Sequence, residues 1–259
     1  MSHRRAAPAA ALAALLAGAL LLTGCGHSAG RSGGAERTVV VFAAASLKES
    51  FTTIAHQFEA EHAAVKVRLN FAGSDLLAAS INAGAPVDVF AAASPKTLAL
   101  VTTARHGSGQ PVTFAGNRLA IAVPPGNPKR IASLADTLRS GTKLVLCAKA
   151  VPCGSAAQRA YRAAGLQPEP VSEELDVKAV LTKVELGEAD AGLVYVSDVH
   201  AAGPKVAGID FPESAQVMTS YPIVGVNTGK DSADGKAFIA YVLSPAGRDV
   251  LTGDGFLKP

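Results

Sequence analysis

The chain reads as an α/β protein of two doubly wound lobes with a cleft between them. Two observations lead there. Short β-branched apolar runs alternate with segments whose apolar residues recur at helical spacing, the pattern of sheets packed between helices. The alternation also starts afresh after Pro124-Pro125-Gly126-Asn127-Pro128, which marks a second lobe. Open sheets of this kind bind ligands outside the carboxyl ends of their strands, so the cleft is where function is sought.

Residues 38–43 form a continuous β-branched and apolar run, as expected of a strand buried on both faces. Leu47, Phe51, Ile54, Ala55 and Phe58 follow at helical spacing. Residues 65–71 form a second strand, Leu76, Leu77 and Ile81 mark a helix, and residues 87–91 a third strand. In the second lobe, strands are expected at 119–123, 143–147 and 191–196, and helices at 156–164, closed by Gly165, and at 177–186. A strand at 221–226 and helices at 237–243 and 246–251 return to the first lobe. The expected organisation is lobe 1 over 37–117, lobe 2 over 118–222 and the return segment over 223–259, with parallel sheets throughout.

The amino terminus reads differently. Arg4 and Arg5 precede an Ala/Leu-rich run over 9–22 and then Leu22-Thr23-Gly24-Cys25, with no acid before Cys25. This is the layout of a secretory signal peptide over 1–24. The run is too short and Ala-rich for a spanning helix of about 20 residues. The cleavage region resembles a bacterial lipobox, which makes Cys25 the expected lipidation site and anchors the exported chain to the outer face of the cell membrane. Residues 25–36 are Gly/Ser-rich, as in a flexible tether.

The net charge of +3 falls to +1 once Arg4 and Arg5 are removed with the leader. Neither a nucleic-acid-binding stripe nor a polybasic membrane patch is expected from such a balance. Trp is absent and aromatic residues make up 5% of the chain, so platforms for stacking bases or sugars are poorly supplied. Cys147 and Cys153 lie close together in a chain bound for an oxidising compartment. A disulfide is the reading such a compartment favours; metal binding lacks a nearby His or third Cys, and the spacing is not that of a redox Cys-x-x-Cys.

Three expected strand ends run into helices through small turns: Ala43-Ala44-Ala45-Ser46-Leu47, Phe71-Ala72-Gly73-Ser74-Asp75 and Ala150-Val151-Pro152-Cys153-Gly154-Ser155. A helix start offers unpaired N–H groups and partial positive charge, so it receives an anion without Lys or Arg. Ser46 and Ser74 add hydroxyl donors. Singly, each serine is more readily read as an N-cap of its own helix. What favours an anion is the recurrence of such ends around one cleft.

The segment Val41-Phe42-Ala43-Ala44-Ala45-Ser46-Leu47 resembles the opening motif of the periplasmic molybdate-binding proteins of ABC importers. Further pieces follow in the family's order: Phe71-Ala72-Gly73-Ser74, Gly84-Ala85-Pro86-Val87-Asp88-Val89-Phe90, Val151-Pro152-Cys153-Gly154, Glu174-Leu175-Asp176-Val177, Gly192-Leu193-Val194-Tyr195-Val196-Ser197-Asp198 and Tyr221-Pro222. The resemblance implies a type II periplasmic binding protein fold. It also implies an oxyanion, molybdate or tungstate, held by the hydroxyls of Ser46 and Ser74, the backbone N–H groups of Cys153 and Val177, and the phenol of Tyr195. Molybdenum would be present only inside the oxyanion, with no direct metal ligand and no cofactor. An ABC transporter permease is the implied partner, and one cleft per chain suits a monomer. Cys153 departs from the small residue, often Ala, that the family carries there, which leaves its N–H the least secure donor of the set.

Every donor in that set suits a tetrahedral dianion, which offers only acceptors. Burying a donor without a partner costs about 1–3 kcal/mol, so a proton on the ligand, as on phosphate, would be penalised. Sulfate or another small oxyanion is the rival ligand, since only cavity size separates it from molybdate. From the residues alone, Tyr195 also reads as a strand aromatic packed in lobe 2, and Val177 as the first apolar residue of a helix. Asp88 and Asp198 read as cap or hinge groups, because a carboxylate facing an anion repels it. A cell-envelope hydrolase would need a base beside Ser or Cys, and His56, His62, His106 and His200 form no recognisable Ser-His-acid pattern. The chain is therefore read as a binding protein and not an enzyme.

Overall fold

The computed structural model of the chain describes residues 36–230 and 232–259. The expected leader, the lipid-bearing Cys25 and the tether up to residue 35 lie outside the described residues. The first strands and helices are β1 (Arg37–Ala44), α1 (Lys48–Glu61), β2 (Val65–Ala72), α2 (Ser74–Asn82), β3 (Val89–Ala91), α3 (Pro95–Thr103) and β4 (Gly107–Asn117), with a short 3-10 turn (Ala45–Leu47) between β1 and α1. β5 (Leu119–Val123), β6 (Leu144–Cys147), α4 (Pro152–Ala163), β7 (Ser172–Glu174), α5 (Val177–Glu185), β8 (Ala191–Tyr195), α6 (Val196–Ala202) and β9 (Ala207–Ile209) follow. β10 (Thr219–Val226), α7 (Ser232–Leu243) and α8 (Pro245–Gly253) complete the chain. Two five-stranded sheets result, ordered β2-β1-β3-β10-β4 and β7-β6-β8-β5-β9.

Successive side chains of a strand point to opposite faces, and β1 uses both. Val39, Val41 and Ala43 join Phe51, Ile54 and Phe58 of α1 and Phe238 of α7, while Phe42 packs with Leu77, Ile81, Leu98 and Val101 of α2 and α3. The Phe51 ring lies 5.7 Å from Phe114 and 6.0 Å from Phe238, and emptying that position with Ala would cost about 3–5 kcal/mol. β2 alternates instead, with Lys66, Arg68 and Asn70 exposed, because it forms the sheet edge, where outward charges discourage further strand pairing.

Three expectations are corrected. Both sheets are mixed: β10 runs antiparallel to β3 and β4, and β5 antiparallel to β8 and β9. Parallel neighbours need a crossover connection, whereas β5 and β10 enter their sheets directly from the other lobe. Secondly, the return to the first sheet starts at Thr219, not at residue 223, because Thr219 pairs with Asn117. Pro222 lies at a shift of register inside β10, where its missing N–H is tolerated. Thirdly, α4 starts at Pro152, well before residue 156. Proline suits the first helical turn, whose N–H groups lack partners in any case.

The pairing of Thr219 with Asn117 sets the crossings at Arg118 and Met218 side by side. Leu119 pairs with Tyr195 just beyond them, so the end of β8 lies close to the hinge. Asn117 Nδ2 donates to Ser197 Oγ at 2.8 Å, tying the end of β4 to α6.

Candidate functional site

β1, β2, β6 and β7 each lead into a helical start, and these starts surround one small cavity of about 20 Å³. Ser46, Ser74, Cys153, Val177 and Tyr195 all line it, together with Gly73, Ala93 and Asp176. Residues from distant parts of the sequence thus converge at one point in the cleft.

Neither serine caps its helix. Leu47 is the N-cap of α1 and Gly73 that of α2, and no side chain caps either helix among the described residues. Ser46 Oγ lies 2.8 Å from Tyr221 Oη, and Ser74 Oγ accepts the Ala93 N–H at 3.0 Å. The Ala93 bond leaves the Ser74 hydroxyl proton free for a ligand. Tyr221 can donate to Ser46, which turns the Ser46 proton outward in the same way.

α4 has Val151 as N-cap and no capping side chain, so its first N–H groups, Cys153 among them, lie uncapped at the cavity wall. A disulfide joins Cys147 at the end of β6 to Cys153 in the first turn of α4. A Cβ at Gly154 would lie 1.9 Å from the Ala148 carbonyl oxygen, so only glycine allows this turn to fold so tightly. Val177 opens α5 directly after Asp176, whose side chain accepts the Ala179 N–H at 3.0 Å. That bond engages the one carboxylate on the cavity wall in capping.

Tyr195 is buried, and its hydroxyl, which faces those of Thr219 and Tyr221, makes no hydrogen bond of good geometry among the described residues. A buried phenol without a good hydrogen bond costs about 1–3 kcal/mol, a cost that a ligand oxygen in the cavity would remove. Burial pushes the Tyr195 and Tyr221 phenols above the usual tyrosine range, so both stay protonated as donors. Among the described residues no Lys or Arg lines the cavity, and the Ser46, Ser74 and Tyr195 hydroxyls on its wall are neutral.

Charge stands just behind it. Burial pushes the Asp198 carboxyl up to about 6, against the pull of Lys178. Burial also works against the charge of Lys178, but Asp198 and Glu49 outweigh it and hold the ammonium above its ordinary range. Asp198 Oδ2 accepts the Tyr195 N–H at 3.0 Å, and Asp88 Oδ2 the Val40 N–H at 2.8 Å. Both aspartates thus hold backbone rather than face the cavity.

The lobes meet over the site. A Cβ on Gly73 would lie 2.4 Å from the carbonyl oxygen of Leu175, on the opposite lobe. Gly73 has an ordinary backbone (φ −55°), so close approach, and not conformational freedom, is what calls for glycine here.

Sequence reasoning missed Ala93 and Lys178 and the supporting roles of Tyr221 and Gly73, whereas Asp198 reads there as a cap or hinge group and does cap the start of α6. Tyr221 meets Ser46 at a separation of 175 residues, so no local pattern joins them. Among the described residues, no His, Cys, Asp and Glu group is arranged to hold a metal ion, and neither Ser46 nor Ser74 is hydrogen-bonded to a histidine.

The family model of bacterial extracellular solute-binding proteins matches residues 39–257. The chain is 44% identical over 253 residues to the molybdate-binding protein ModA of Mycobacterium tuberculosis (strain ATCC 25618 / H37Rv), covering 94% of this chain and 97% of that protein. It is 34% identical over 239 residues to the molybdate-binding protein ModA of Escherichia coli (strain K12), with 85% and 89% covered. In fold it is similar to the periplasmic molybdate-binding protein of Azotobacter vinelandii, with a TM-score of 0.75, 19% identity, and 85% and 99% of the two chains covered. The sulfate-binding protein SubI of Mycobacterium tuberculosis H37Rv has the same fold, with a TM-score of 0.71, 16% identity, and 85% and 86% covered. By the family match and by these relatives, the chain belongs to the bacterial extracellular solute-binding proteins.

Proposed function

We propose that this protein binds molybdate between its lobes outside the cytoplasm and delivers it to an ABC importer. The single observation that carries the reading is the convergence of Ser46, Ser74, Cys153, Val177 and the buried Tyr195 on one small cavity that no Lys or Arg lines among the described residues. A tetrahedral dianion is the complement of such a cavity, and the relatives named for molybdate share their sequence over nearly the whole chain. Ser46 and Ser74 act as hydroxyl donors, Cys153 and Val177 as N–H donors, and Tyr195 as the phenol donor. Tungstate, of the same charge and shape, is accepted too. The protein works as a monomer and binds without catalysis.

We also infer that residues 1–24 are removed on export, and that a lipid on Cys25 holds the body to the membrane through the tether of 25–36. The supporting feature is Leu22-Thr23-Gly24-Cys25 behind a basic and then apolar start. Mass spectrometry of the membrane-bound protein should find a diacylglyceryl group on Cys25, and a Cys25→Ala variant should lose it.

Calorimetric titration with molybdate, tungstate, sulfate and phosphate tests the ligand. Molybdate and tungstate are expected to bind tightly and phosphate not at all. Tight sulfate binding with no response to molybdate would overturn the assignment. Ser46→Ala and Ser74→Ala should each weaken molybdate binding by about 10- to 150-fold, the worth of a hydrogen bond to a charged group.

A further inference from the structure

Two larger cavities flank the closed site between the lobes, and their charges differ. One, of about 530 Å³, is lined by Lys48, Lys178 and Lys205 but equally by Glu49, Asp176 and Glu185. The other, of about 220 Å³, is lined by Lys96, Arg159, Ser94, Ser155, Thr219 and Ser220, and among the described residues no carboxylate stands on its wall. Lys96 and Arg159 are exposed and come from opposite lobes, α3 and α4.

The acid-free cavity adjoins the oxyanion site. Pro152 lines both, and Ala93 of the inner wall is followed directly by Ser94 of the outer one. Thr219, only 5% exposed, lines the outer cavity as well, and its hydroxyl faces the Tyr195 phenol of the inner one. Burial dominates the Tyr195 phenol, and the charge of Arg159 acts on it in the opposite sense.

The geometry points to this cavity as an antechamber that captures the oxyanion between Lys96 and Arg159 before it enters the inner site. The inference rests on the oxyanion reading of that inner site. The division of labour follows from range. Neutral N–H and hydroxyl dipoles act only in contact, whereas a pair of cations draws a dianion from about 8–10 Å away at moderate salt. A cleft flank of one sign raises association rates about 10- to 1,000-fold, and cations placed outside the cage do so without tightening the final grip. The opposite flank, with balanced charges, has no such field.

With Trp absent, tyrosine fluorescence in stopped flow can follow molybdate binding, since the Tyr195 phenol lies at the site. The double variant Lys96→Gln/Arg159→Gln should associate about 3- to 10-fold more slowly at low ionic strength. Its dissociation rate should not change, and the difference should fade as salt is raised. Lys48→Gln/Lys205→Gln removes equal charge from the other flank and should leave association nearly unchanged. Equal slowing by both doubles would make net charge the cause and overturn the antechamber. So would unaltered association in the first double, or an effect confined to dissociation. If molybdate fails to bind the unaltered chain while sulfate binds, the same comparison is read with sulfate. A chain that binds molybdate, tungstate and sulfate not at all would overturn both readings.

Discussion

Lys178 Nζ lies 2.8 Å from Glu49 Oε2, an ion pair that joins the start of α5 in one lobe to the start of α1 in the other. The same ammonium lies 3.2 Å from Asp198 Oδ1, on a side chain with no exposed surface. Asp198 in turn accepts the N–H of Tyr195, the residue that presents the buried phenol. One lysine therefore takes part both in a contact between the lobes and in placing that phenol.

Glu49→Gln should accordingly speed ligand release and leave the fold unharmed. The Glu49 side chain is 43% exposed, so the pair is worth about 0.2–1 kcal/mol, or about 1.5- to 5-fold in the dissociation rate. Lys178→Met should behave differently, since it strands the buried charge of Asp198 and should lower the unfolding free energy by about 3–5 kcal/mol. Stopped-flow release and urea melts of both variants separate the two roles. An unchanged release rate in Glu49→Gln would show that the pair does not hold the lobes together.

Gly73→Ala should act as a wedge. Its new Cβ would press on the Leu175 carbonyl across the cleft, and relief requires the lobes to part. Such overpacking costs about 1–3 kcal/mol, so oxyanion affinity should fall about 5- to 150-fold. The contact is absent once the lobes separate, so thermal melting without ligand should be unchanged. Calorimetry paired with a melting curve checks this, and a matching loss of stability would place the strain inside one lobe instead.

The strands and helices that read directly from the sequence are those whose partners lie on both faces. β1 and α1 show it, because burial of Val39, Val41, Phe51, Ile54 and Phe58 leaves a regular apolar period. β4 did not read as a strand. It contains Gly107, Gly109 and Pro111, and it is held by its pairing with β10, whose residues lie far along the chain. β7 is only Ser-Glu-Glu and carries no apolar signal. At the site, small turns after strands were visible, but the two serines looked like possible caps. Their actual partners decide otherwise: Ser46 meets Tyr221 at a separation of 175 residues, beyond any local pattern.

Removing the Cys147–Cys153 bridge should cost both stability and binding. In the chain-entropy account, a loop this short contributes about 2 kcal/mol, which Cys147→Ala/Cys153→Ala should lose in a urea melt. The bridge also ties the first turn of α4, where Cys153 lines the site, to the end of β6. Molybdate affinity should therefore fall in the double variant as the turn loosens. Full affinity at reduced stability would show that Gly154 and Pro152 order the turn by themselves.

Asp198 should leave a mark on the dependence of stability on pH. Its folded-state carboxyl is pushed up to about 6 by burial, from an ordinary value of 3.8, so the folded chain binds this proton more tightly than the unfolded chain does. That preference favours folding fully below about pH 4 and is lost as pH rises to about 6, a change of up to about 3 kcal/mol. Asp136 and Glu174 run the other way, lowered by hydrogen bonds from Ala132 and Lys183 respectively, but they remain in a variant at position 198 and cancel in the comparison. Asp198→Asn keeps an acceptor for the Tyr195 N–H while removing the titration. Relative to this variant, the unaltered chain should lose stability between pH 4 and pH 6 and then level off. Urea melts without ligand across that range give the difference directly, and parallel profiles would mean that Lys178 keeps Asp198 ionised in spite of its burial.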